Sequence, residues 1–140
     1  MKKAFFIYGG WEGHQPKETS EIFIRALSDE GFDVEVSTTL NSLLDLDELK
    51  GKDVIIINWT GGNLEGEMEK NLLQAIKGGT GFAGWHGGAG DAFRNNSEYQ
   101  FMVGGQFVTH PGGIVEYEVK IVKVNDPIVK GIGDFKLKSE

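Results

Sequence analysis

Three histidines, three tryptophans and no cysteine bound the chemistry open to this chain of 140 residues. His86 stands in Gly84-Trp85-His86-Gly87-Gly88, a glycine-walled segment that follows a short apolar run. A tight turn of this kind lifts one side chain above the end of a strand, and its neighbours must be small because a Cβ would meet the approaching backbone. The usual occupant is a serine or cysteine nucleophile. Here it is an imidazole, suited to proton transfer or metal ligation, and a cysteine glutaminase is excluded. His14 lies in Gly10-Trp11-Glu12-Gly13-His14 and His110 in Thr109-His110-Pro111-Gly112-Gly113. His86, His14 and His110 are the candidate catalytic residues. Three neutral imidazoles with an open position would equally ligate a divalent metal such as zinc. Their spacing matches no local metal motif, so that reading requires the fold to bring them together.

Trp11, Trp59 and Trp85 each follow or end an apolar run. Indole faces pack on the C–H faces of sugars while nearby polar groups take the hydroxyls, which makes these three the candidate substrate platform. The alternative is that each tryptophan caps the core. Glu12 and Asp91 fall in the same loops and join the candidate substrate-binding set; as a carboxylate pair they would suit glycoside hydrolysis, but sequence does not fix their separation. The acids Glu65, Glu67 and Glu69 read instead as partners of a helix dipole. No phosphate loop of the Walker type and no strand-linked G-x-G-x-x-G occurs, and the loop from Gly9 to His14 lacks the hydroxyls of a flavin phosphate cradle. Neither flavin nor nucleotide is expected.

Elements that could position these residues alternate along the chain. Residues 3–8, Val54 to Ile57 and Phe82 to Trp85 are apolar runs suited to strands buried on both faces. Phe32 to Ser37 reads as another strand. Pro16 can open a helix whose stripe is Ile22, Phe23, Ala26 and Leu27 and which Gly31 closes. A second helix is predicted from about Leu64 to Lys77, capped by Asn63, and a third around Tyr99 to Val103, ended by Gly104-Gly105. This alternation predicts an α/β fold of the flavodoxin-like kind, a parallel sheet with helices on both faces and the order 2-1-3 at its start. Ligands then bind at the carboxyl edge, where the ends of strands one and four lie about 10 Å apart. Val115 to Ile121 alternates apolar and charged residues, the signature of a C-terminal β extension. Phe135 to Glu140 reads as the start of a further strand, so the expectation is one domain over 1–140, truncated at its C-terminus.

With 39% hydrophobic and 25% charged residues the composition is that of an ordinary globular protein. A net charge of −7 without a basic cluster argues against nucleic acid. No apolar stretch approaches the roughly 18 residues of a membrane helix, and the run after Met1 is too short for a signal peptide. No membrane partner and a cytoplasmic location are the expectations.

Gly10 to His14, Gly84 to Gly88, Gly90-Asp91-Ala92-Phe93-Arg94-Asn95-Asn96, Gly104 to Gly112 and Asp126-Pro127-Ile128-Val129 together resemble the ThuA-like trehalose-utilisation family over essentially the whole chain. The resemblance implies a class I glutamine amidotransferase-like form of the flavodoxin-like fold, with His86 at the amidotransferase cysteine position. It implies a role in the metabolism of trehalose, other disaccharides or keto-sugars, with a small-molecule sugar as ligand and a sugar oxidoreductase in the same pathway; self-association is left open. The family's recurring histidines fall on His14, His86 and His110, and a later acidic position falls on Glu140. Two functions compete: a hydrolase, lyase or isomerase acting on a sugar, and a non-catalytic sugar-binding or assembly module.

Overall fold

The apolar runs become strands because their side chains find apolar partners on both sides of one sheet. In the computed structural model, which describes residues 1–122 and 126–139, strands β1 (Lys3–Gly10), β2 (Asp33–Ser37), β3 (Val54–Thr60) and β4 (Gly81–Ala83) form a parallel sheet in the order β2-β1-β3-β4. The expected start 2-1-3 is observed. Alternate residues divide between the faces. Phe5, Ile7, Ile55 and Ile57 pack with Leu49 of α2 (Leu46–Lys50), Met68 and Leu72 of α3 (Gly66–Lys77) and Tyr99 of α4 (Ser97–Val103). Ala4, Phe6 and Ile56 meet Ile24 and Leu27 of α1 (Pro16–Asp29) on the other.

Several local expectations are corrected. The stripe of α1 is rotated: Ile24 and Leu27 face the sheet and Ser20 is buried, whereas Ile22 is 66% and Phe23 47% exposed. Asn63 does not cap α3, which begins at Gly66 after Glu65; the Leu64 amide is instead satisfied by Asn96 Oδ1 at 2.9 Å. Glu69 accepts from Asn96 Nδ2 and from the Tyr99 amide, so this acid joins α3 to the start of α4. Strand β4 stops at Ala83, two residues before Trp85. Helix α2 was not anticipated, although Asp45 caps it through the Glu48 amide at 3.0 Å.

The chain forms two compact units, Met1–Phe107 and Val108–Glu140. In the second, β5 (Val115–Val119) pairs antiparallel with β6 (Phe135–Ser139), placing Glu116 opposite Lys138 and Glu118 opposite Lys136. This pair is the C-terminal extension. Opposite charges across an antiparallel pair favour this register. Asp126 accepts from the Ile128 amide and opens a short 3-10 turn.

Candidate functional site

At the carboxyl end of β3 the side chains change character. After four apolar residues come Asn58 and Thr60, both buried and both on the α1 face of the sheet, since side chains two apart share a face. Asn58 Nδ2 lies 3.0 Å from Pro16 O, 2.9 Å from Thr19 Oγ1 and 2.8 Å from Ser20 Oγ, anchoring the first turn of α1. Thr60 holds the preceding loop: its carbonyl accepts from the Trp11 amide at 3.2 Å, and its hydroxyl lies 2.9 Å from His14 Nδ1. Sequence reasoning missed both residues. Their signal was legible, because polar residues closing a doubly buried apolar run have to be satisfied by something specific.

His14 ends a 3-10 turn, Glu12–His14, and is followed by Gln15 in the left-handed region at φ 49. A non-glycine residue there carries strain that its surroundings must hold. The Gln15 amide bonds Glu12 O, and Gln15 O receives both the amide and the hydroxyl of Thr19. The His14 ring is thereby fixed, in T-shaped contact with the Trp11 ring at 4.7 Å between centroids.

The His86 turn meets this loop. His14 and His86 have ring centroids 5.6 Å apart, and His86 in turn lies 4.6 Å from the Phe107 ring. Gly87, at φ 76, presents its backbone to His14; a Cβ there would sit 3.2 Å from His14 Cγ. Gly88 packs on β3, where a Cβ would fall 2.7 Å from Asn58 Oδ1 and 2.8 Å from its Cα. Bulk at either glycine would push the two imidazoles apart. Behind the turn, Tyr99 donates its hydroxyl to Ala89 O at 2.9 Å, and burial pushes the Tyr99 pKa well above the ordinary tyrosine value.

The other expected residues are placed as follows. Trp11 is 61% exposed and stands beside His14. Trp85 stacks on Phe23 at 4.4 Å and packs near Phe6, within the cluster under α1. Trp59 packs against the core on the opposite face and lies over Gly9 and Gly62. The tryptophans are therefore not one platform. Glu12 is exposed in the 3-10 turn. Asp91 is buried and taken by Arg94, whose Nε and Nη2 lie 2.6 and 2.5 Å from Asp91 Oδ1. The guanidinium also lies over Phe107, 5.1 Å from its centroid. His110 belongs to the second unit and Glu140 lies outside the described residues. Within residues 1–107, no three His, Asp or Glu residues gather as a metal-holding group. A cleft of about 430 Å³ beside α4, bordered by Arg94, Phe101 and Gln106, includes neither His14 nor His86.

A family model described as ThuA, trehalose utilisation, matches residues 3–140. The chain belongs to the ThuA family. Among solved structures, a ThuA-like protein from Bacteroides uniformis superimposes with a TM-score of 0.78 at 21% identity, covering 99% of this chain. The likeness supports the ThuA fold, and the chain spans 58% of the length of that protein. No curated protein matches the sequence. Among the described residues no helix is long and apolar enough to cross a membrane.

Proposed function

We propose that this ThuA-family chain binds a sugar at the carboxyl end of β3 and moves a proton on it through His14 and His86, with Trp11 as the platform. The observation that carries the reading is the 5.6 Å ring pair, one member of which has its Nδ1 occupied by Thr60. His14 Nε2 is then the nitrogen left for substrate. Two imidazoles at this separation can act on adjacent atoms of one small molecule, and imidazole exchanges protons near neutral pH. On a keto-sugar, one ring takes the proton from the carbon beside the carbonyl while the other gives a proton to the carbonyl oxygen. The product of that step is an enediol. A sugar oxidoreductase would supply such a substrate. The exposed Trp11 indole offers an apolar face for the pyranose ring.

The test is carbon-bound hydrogen exchange of a keto-disaccharide in D2O, followed by NMR. The wild-type protein should catalyse exchange, and His14→Ala and His86→Ala should each slow it by about a hundredfold or more. Wild-type exchange rates in both variants would sink the proposal. Binding of the sugar without any exchange would favour the binding module.

A second reading rests on the same hydrogen bond. A metal-ligating imidazole commonly has its other nitrogen held by a hydrogen-bond partner, as Thr60 holds His14. A zinc-like ion would then draw on His14 and His86 and would supply Lewis-acid polarisation of the sugar carbonyl. The two imidazoles of the first unit supply two of the three protein ligands that such an ion commonly takes. Metal analysis of purified wild type and His86→Ala separates the readings: metal present in the first and lost from the second supports the ion.

A further inference from the structure

We propose that Thr60 is a positioning residue that keeps His14 oriented through both halves of a proton-transfer cycle. The proposal rests on the reading of His14 as an acid–base group. A threonine hydroxyl can accept from Nδ1–H of the neutral imidazole and, equally, from Nδ1–H of the imidazolium formed when Nε2 takes a proton. With Thr60 Oγ1 at 2.9 Å from Nδ1, His14 Nε2 presents a lone pair in the neutral ring and, once it has taken the substrate's proton, an N–H in the imidazolium. The ring does not have to turn between them.

The surroundings of Thr60 make it a fixed partner. Its side chain sits on β3, the residue is 8% exposed, and it is in register with Gly10 of β1. Its carbonyl tethers the Trp11 amide, so one residue holds both the start and the end of the segment from Trp11 to His14. Asn58, two residues earlier on the same face, fixes the helix turn that follows His14. Gly87 packs against the Cγ and Nδ1 atoms of the ring. A ring bounded in this way has one nitrogen committed to Thr60.

The experiment uses Thr60→Val, which keeps the branched shape suited to a strand, and Thr60→Ser, which keeps the hydroxyl. Long-range proton–nitrogen NMR of the histidine rings needs no substrate. Thr60→Val is expected to move the His14 Nδ1 shift toward that of a solvent-exposed imidazole, and Thr60→Ser to restore it. In the keto-disaccharide exchange assay, Thr60→Val should lower kcat about tenfold or more with KM within about twofold, again restored by Thr60→Ser. Wild-type His14 nitrogen shifts in folded Thr60→Val protein would overturn the assignment. Undiminished exchange in His14→Ala would instead overturn the acid–base reading, and it is told apart because the Thr60→Val shift change would persist.

Discussion

Trp11 and Trp85 look alike in sequence, each beside a histidine-bearing glycine loop, yet their surroundings give them different work. Trp11 is solvent-exposed over Gly13 and in T-shaped contact with His14, so Trp11→Ala should weaken sugar binding while changing stability by less than about 0.5 kcal/mol. Trp85 is stacked on Phe23 and packed near Phe6, so Trp85→Ala should cost about 2–3 kcal/mol and leave sugar affinity nearly intact. Sugar titration and urea unfolding of both variants check the contrast. The proximity of His14 and His86 was legible, because glycine loops after strands of a parallel sheet meet at its carboxyl edge. The role of Trp85 was not: just past a strand end, a shift of one residue moves a side chain to the other face. Asp91 was likewise read as free for substrate, since nothing local announces that Arg94, three residues on, takes its carboxylate.

At the scale of elements, the site exists because β3 ends in polar residues that reach across to α1 and the loop before it. Asn58 is the anchor for α1, and Asn58→Ala would leave Pro16 O and the Thr19 and Ser20 hydroxyls short of a donor in a buried place. The expected loss is about 2–3 kcal/mol by chemical denaturation, more than for a surface asparagine. The strands and the two long helices could be read from apolar runs and helical periodicity, since those patterns follow from burial alone. Their faces could not be read as well. The expected stripe on α1 took Ile22 and Phe23 as core, but the turn fixed by Asn58 sets the helix so that Ser20, Ile24 and Leu27 look inward. Helix α2 escaped because five residues are too few for a periodic pattern, although its Asp45 cap was a local sign.

For the molecule as a whole, the parallel α/β sheet followed from the order of elements, whereas the resemblance to the ThuA family came from motifs in the loops rather than from the core. Global stability should carry a pH signature from Lys52, which lies between Glu35 and Glu48 and over the Phe5 ring. Burial alone would lower the Lys52 pKa, but hydrogen bonds and charge from the two glutamates outweigh it and hold it above the ordinary 10.5. Hydrogen bonding and charge from Lys52 hold Glu48 below the ordinary 4.5. Stabilisation from the raised lysine is complete below 10.5 and is lost as pH rises through its folded value, whereas that from Glu48 is present above 4.5 and is lost as pH falls through its own. Lys52→Met should therefore differ most from wild type between those limits, with the gap narrowing in acid and in alkali, as urea unfolding across pH would show. The central claim, a sugar held beside Trp11 by His14 and His86, is tested most directly by titrating a keto-disaccharide into nitrogen-labelled protein and following the three indole and three imidazole side chains by NMR. The account predicts that Trp11, His14 and His86 shift together in a saturable way while Trp59 stays in place. Saturable shifts that leave Trp11, His14 and His86 unmoved would contradict it.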